Sequence, residues 1–149
     1  MAKFTYKMQN ILDIKMRLET QAKTEFAVAS GKLSEEEEKL KQLLRRNIAY
    51  QDEARNLASE RLDIQKIKRC NDAMKAMKEI LQQQAIQVRV AERGLEIARN
   101  KLNSAMQDRK IHDKLKEKAF EEFKLDLNAQ EKKEIDELVS FSYNDNNKE

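Results

Sequence analysis

Few residues of this 149-residue chain carry side chains that commonly act in catalysis or metal binding. Cys70 is the only cysteine and His112 the only histidine, so the usual four-ligand zinc site would need many carboxylates. The single cysteine also excludes a disulfide within the chain, which points to a reducing compartment or to a protein indifferent to the redox state of its surroundings. An enzyme needs several groups that converge in a pocket. We therefore predict no catalytic residue, no metal site and no cofactor.

Two charged clusters are the remaining candidates for a site. The run Glu35-Glu36-Glu37-Glu38 is followed by Lys39 and Lys41, which favours a solvated helix face with i to i+4 pairing over a cation site. Residues 66–93 carry seven basic side chains against three acidic ones, so they could meet an acidic partner or a membrane surface, or be ordinary surface charge. Over the whole chain, 30 Lys and Arg face 27 Asp and Glu, a balance that argues against nucleic-acid binding.

The elements that must position these residues are long helices. Charged residues make up 38% of the chain, with two glycines and no proline, which is typical of coiled coils and excludes a sheet that needs turns. Seam positions also recur every three or four residues in both halves, as in paired helices. In the first half they are Phe4, Met8, Ile11, Lys15, Leu18, Ala22, Phe26, Ala29, Leu33, Glu36, Leu40, Leu43, Asn47, Tyr50, Ala54, Leu57, Arg61 and Ile64. In the second half they are Met74, Met77, Leu81, Gln84, Val88, Ala91, Leu95, Ala98, Leu102, Ala105, Arg109 and His112.

The two seams have complementary sizes. Alternate positions of the second seam are the small residues Ala91, Ala98 and Ala105, which allow a close approach by the larger leucines of the first half. The first seam has one irregular step of four before Phe26, which predicts a local unwinding of the coil. The sequence therefore predicts an all-α fold, a long antiparallel two-helix coiled-coil hairpin.

The hairpin is expected to cover residues 1–143. Helix 1 is predicted at about 3–66, the turn at about 67–72, helix 2 at about 73–140 and a flexible tail at 144–149. Asn71 or Asp72 is the expected cap of the second helix. An alternative is a break near Gly31, where Ser34 and Glu37 imitate a capping box, and this would give three helices.

Several apolar residues lie outside the seams. On the second helix, Ile86, Val90 and Ile97 share an outer face with Gly94, whose missing side chain allows another backbone to come close. Leu44, Ile48 and Leu62 lie beside the first seam. A two-helix hairpin cannot bury these side chains, so they predict partner docking or an oligomer contact, with a third helix as the alternative.

The two ends of the chain resemble a known family. The start reads Phe4-Thr5-Tyr6-Lys7-Met8-Gln9-Asn10-Ile11-Leu12-Asp13-Ile14-Lys15, and the far end reads Glu131-Lys132-Lys133-Glu134-Ile135-Asp136-Glu137-Leu138. With the uninterrupted coil between them, these segments resemble the FliJ family of the bacterial flagellar type III export apparatus over nearly the whole chain. This resemblance implies a non-enzymatic, stalk-like rod at the flagellar base, cytoplasmic and peripheral to the membrane through its partners.

The resemblance also implies partners and contact residues. The partners would be the hexameric export ATPase, the export gate protein FlhA and export chaperones that the rod escorts. The ATPase contact is implied at the paired chain ends, namely Phe4, Tyr6, Met8, Gln9, Ile11, Ile14, Lys15, Glu131, Lys133, Ile135, Asp136 and Glu137. A hairpin would bring residues 4–15 and 131–138 together.

The gate contact is implied at Leu43, Tyr50, Met77 and Gln84. The apolar residues outside the seams join these as candidates for gate or partner docking, namely Leu44, Ile48, Ile86, Val90, Gly94 and Ile97. Two rival functions remain. One is a generic structural coiled coil that homodimerises through its seams, and the other is a basic helical scaffold that binds nucleic acid or membrane.

Overall fold

The computed structural model describes residues 3–59 and 63–147 and contains two α-helices, α1 (Gln9–Ser59) and α2 (Ile64–Asn146). The helices pack against each other antiparallel, and 94% of the described residues are helical, with no strand among them. This confirms the all-α helical hairpin. The chain divides into two compact units, described separately below: unit 1 is Met1–Thr20 with Ser104–Glu149, and unit 2 is Gln21–Asn103.

The helix ends differ from the sequence prediction. Residues 3–6 are not helical, and α1 begins only at Gln9. Residues 67–72, predicted as the turn, are helical, so that prediction was wrong by several residues. Helix α2 also continues to Asn146, past the predicted end at 140.

Asp63 is the N-cap of α2 in place of the predicted Asn71 or Asp72. Its carboxylate accepts hydrogen bonds from the backbone N–H groups of Gln65 at 3.2 Å and Lys66 at 3.4 Å. These two donors would otherwise be unpaired at the start of a helix. The predicted seam position Arg61 and the candidate docking residue Leu62 lie outside the described residues.

In unit 2 the seam follows the heptad prediction. Each predicted seam position from Ala22 to Leu57 on α1, and from Met74 to Leu102 on α2, is buried or half-buried. Ala91 and Ala98 are each 8% exposed. Helix α1 runs through Gly31 without a break, so the three-helix alternative is wrong. Ile64, predicted as a seam residue, is instead the exposed first residue of α2.

In unit 1 the seam of α1 departs from the prediction at three positions, whereas the predicted seam residue Lys15 is half-buried. Leu12, only 2% exposed, and Glu19, 6% exposed, take the buried positions, whereas the predicted Met8, Ile11 and Leu18 are exposed. Spacings of three and four then alternate from Leu12 to Leu57 without interruption, so the predicted irregular step is absent. A polar residue can occupy the seam because it has a charged partner on α2.

Candidate functional site

A polar layer crosses the seam of unit 1 at Arg109. Its Nε donates a hydrogen bond to the Glu19 carboxylate, and its Nη1 donates one to Asp113 Oδ2 at 2.6 Å. The hydrogen bonds to Asp113 and Glu19 raise the pKa of the Arg109 guanidinium. Close by, Lys15 Nζ lies 3.7 Å from Asp108 Oδ2. This layer accounts for the burial of Glu19 in place of Leu18.

A second polar layer, in unit 2, joins Glu36 to Gln84. The Gln84 side-chain N–H donates to Glu36 Oε2 at 2.6 Å and to the Glu36 carbonyl oxygen at 3.0 Å. Lys32 and Lys39 approach the other carboxylate oxygen at 3.1 and 3.5 Å. The hydrogen bonds from Gln84 and Lys32 lower the pKa of Glu36. The side-chain amide of Gln84, a predicted gate residue, is therefore already hydrogen-bonded within the seam.

Two of the predicted ATPase contacts hold the N-terminal segment in place. The Phe4 ring packs against Phe120 and Phe123 of α2, with centroid distances of 5.1 and 5.4 Å. Tyr6 is half-buried, and its hydroxyl oxygen has no hydrogen-bond partner among the described residues. Gln9 is also tied locally, since its side-chain N–H donates to Asp13 Oδ1 at 2.9 Å.

The exposed apolar residues of α1 in unit 1 form what we call the N-terminal stripe, defined as Met8, Ile11, Ile14 and Leu18. They are between 38% and 53% exposed and follow one another at intervals of three, three and four residues. This spacing places them on one side of the helix. Leu18 was not a predicted contact, because the heptad pattern had placed it in the seam. Three members of the stripe are predicted ATPase contacts.

The last part of α2, together with Asn147 after it, is what we call the C-terminal extension, residues 128–147. All of its residues are exposed, and the large apolar ones among them are Ile135, Leu138, Val139, Phe141 and Tyr143. Five acidic residues face two basic ones in this segment. The predicted contact of residues 4–15 with 131–138 is wrong, because Phe4 meets α2 at Phe120 and Phe123. Five predicted ATPase contacts lie in this extension, namely Glu131, Lys133, Ile135, Asp136 and Glu137.

The gate residues implied by the family resemblance lie in the seam of unit 2. Leu43 and Tyr50 are half-buried and Met77 is buried, and the Tyr50 carbonyl oxygen accepts a hydrogen bond from the buried Cys70 thiol at 3.6 Å. Their neighbours Leu44 and Ile48 are 45% and 58% exposed. Leu44 and Ile48 therefore offer a partner more of their apolar surface than the implied gate residues do.

An open groove of about 530 Å³ runs between the helices on one side of unit 2, and we call it the outer groove. Its α2 side includes the predicted docking residues Val90, Gly94 and Ile97, and its α1 side includes Val28, which sequence reasoning missed. Val28, Val90 and Ile97 are at least 60% exposed. Ile86 is 55% exposed and lies one helical turn before Val90. No third helix covers the groove among the described residues, so that alternative was wrong.

The described residues contain no cluster of three or more histidine, cysteine or acidic side chains that could hold a metal ion. Over residues 3–59 and 63–147, neither helix has a stretch both long and apolar enough to cross a membrane.

The sequence matches the family model described as "Flagellar FliJ protein" over residues 4–148. The chain belongs to the FliJ family. No curated protein and no solved structure matches it. Its family makes this FliJ protein a coiled-coil component of the flagellar protein export apparatus, and the family is not known to be enzymatic.

Proposed function

We propose that this FliJ protein is a stalk-like component that binds the hexameric export ATPase and couples it to the export gate protein FlhA. The observation that carries the proposal is the exposed apolar surface of unit 1, made of the N-terminal stripe and the C-terminal extension. Apolar surface that a chain leaves in water over several helical turns marks sites where a partner binds. The proposed place of action is the cytoplasmic face of the membrane at the flagellar base.

The charge of the C-terminal extension indicates what kind of surface receives it. Its acidic residues outnumber its basic ones by three, and its large apolar side chains are at least 59% exposed. A ring whose centre combines basic groups with an apolar wall would complement both features. Phe4 and Tyr6 have a different role in this proposal, because they fix the chain start against α2 and so keep Met8 and the following turns in place.

For the gate contact, we propose the exposed pair Leu44 and Ile48. The implied residues Leu43, Tyr50, Met77 and Gln84 would act indirectly, by holding α1 and α2 in register. Export chaperones that the protein escorts would use the same kind of exposed helix face. The rival function, a scaffold that dimerises through its seams, is disfavoured because each helix covers the seam of the other.

The proposal is tested with the purified full-length chain and its cognate export ATPase. At ATPase concentrations too low for complete ring assembly, the chain should raise ATP hydrolysis, because binding to the assembled ring favours assembly by mass action. A variant carrying Ile11→Ser, Ile14→Ser, Ile135→Ser and Leu138→Ser should lose this stimulation while circular dichroism shows unchanged helicity. All four side chains are exposed, so the fold does not depend on their burial.

A matched control is the double variant Ile64→Ser and Ile80→Ser in unit 2, since both isoleucines are also exposed. It should stimulate hydrolysis as strongly as the unchanged chain. Full stimulation by the unit 1 variant would contradict the proposed ATPase surface.

A further inference from the structure

The α2 side of the outer groove is symmetric about Gly94. Val90 and Ala91 lie four and three residues before it, and Ile97 and Ala98 lie three and four residues after it. The long polar residues Gln87 and Lys101 lie seven residues away on either side. Reversing the direction of this helix therefore leaves its pattern of apolar and polar residues unchanged.

The α1 side has a matching symmetry in its charges. Glu25 and Lys32 are at equal distances along the helix from the pair Val28 and Ala29. The pair Val28 and Ala29 lies opposite Gly94 along the hairpin. Toward one end Glu25 contacts Lys101, and toward the other end Glu36 contacts Gln84. Opposite charges placed symmetrically about a centre are complementary to their own reversed copy.

We propose that the outer groove is the contact between two antiparallel copies of this chain, with the two-fold axis passing near Gly94. In an isologous contact each pairing occurs twice. Glu25 of one copy meets Lys32 of the other, and the reciprocal pair forms at the opposite end. The apolar side chains of Val90 and Ile97 from each copy fill the groove of the other.

The glycine at the centre supports this arrangement. Apart from its chain neighbours and the nearby backbone of its own helix, a Cβ atom at Gly94 would have no atom within 4 Å, so the fold of the single chain does not require glycine here. In a helix interior glycine is less favourable than alanine. At a two-fold axis, however, the missing side chain lets two helix backbones approach closely.

The charged side chains remain accessible for a second set of contacts. Glu25 already pairs with Lys101 at 2.9 Å and Lys32 with Glu36 at 3.1 Å, yet the Glu25 and Lys32 side chains are 38% and 59% exposed. The contact uses unit 2 alone. The residues proposed for the ATPase contact lie in unit 1, so the two contacts use different residues.

Sedimentation equilibrium of the full-length chain over a wide range of concentrations tests the proposal. The average mass should rise with concentration from 17.5 kDa toward twice that value. Gly94→Gln should weaken self-association by about tenfold or more, since side-chain atoms forced into a close helix contact overpack it. Gly31→Gln is the matched control, because Gly31 is also helical with open space around it but does not line the groove. Its self-association should be unchanged.

A charge exchange tests the orientation of the two copies. Glu25→Lys and Lys32→Glu should each be monomeric alone, because each places like charges together twice. An equimolar mixture of the two variants should dimerise, since both reciprocal pairs become attractive again. A parallel arrangement would not restore these pairs.

Three results would overturn the proposal. They are a chain that stays monomeric at all concentrations, equal effects of Gly94→Gln and Gly31→Gln, and a mixture of charge variants that fails to associate. The first result would leave the groove to another protein of the export apparatus.

Discussion

Leu12→Ala is the most direct test of the seam in unit 1. Leu12 is 2% exposed, whereas Leu18, which the heptad pattern had placed in the seam, is 46% exposed. Replacing a buried leucine by alanine costs about 2–5 kcal/mol. We expect about 2–3 kcal/mol here, at the lower end of that range, because a two-helix interface is open to solvent on both sides and leaves no closed cavity.

The same substitution at Leu18 is the matched control. Both changes remove the same atoms and introduce the same helix-forming residue, so the difference between them reports burial alone. For a chain of this size, about 1 kcal/mol shifts the melting temperature by about 2–4 °C, so Leu12→Ala should lower it by about 4–12 °C. Leu18→Ala should change it by no more than about 4 °C, since an exposed leucine contributes about 1 kcal/mol or less.

The measurement is thermal unfolding followed by helical circular dichroism, with urea unfolding as a second measure. If Leu18→Ala lowered the melting temperature as much as Leu12→Ala, the seam would pass through Leu18. The buried pair of Glu19 and Arg109 would then not be what sets the seam of α1 in unit 1.

Two further predictions concern the start of α2 and the polar layer of unit 2. Asp63→Ala should destabilise the protein by about 0.5–2 kcal/mol, because it removes the N-cap of α2. Asp72→Ala, which lies within the helix, should be nearly neutral. Amide hydrogen exchange at residues 64–67 should accelerate only in the Asp63→Ala variant. Because folding lowers the pKa of Glu36, its carboxylate stabilises the protein fully when the pH is above 4.5, the ordinary glutamate pKa. This stabilisation is lost as the pH falls through the lower pKa of Glu36 in the folded state. Urea midpoints should therefore fall with decreasing pH below about 4.5 and fall less steeply in Glu36→Gln. An unchanged pH slope would contradict the assigned role of Glu36.

The heptad pattern was sufficient to predict most of the fold. Strict spacing of apolar residues determines which side of each helix is buried in unit 2, because a helix pair can cover only one narrow stripe on each partner. The same pattern predicted that Val90 and Ile97 would remain uncovered. Their exposure follows from their place on the helix and not from any distant contact.

The seam of α1 before Ala22 required the tertiary structure. Hydrophobicity alone predicts that Leu18 is buried and Glu19 exposed. The opposite occurs because Arg109, ninety positions later, donates a charged hydrogen bond to Glu19 across the seam. Local sequence does not encode that distant pairing.

The helix ends and the extent of pairing were also decided by contacts. Asp63 and Asp72 are equally good caps by residue type, and only the place where the chain turns back selects the first. The sequence alone predicted that Ile135 lies beside the chain start. In the structure Phe4 packs on Phe120 and Phe123, so the N-terminal segment lies beside that earlier part of α2. Because Phe4 meets α2 at Phe120 and Phe123, the described residues of the C-terminal extension remain exposed.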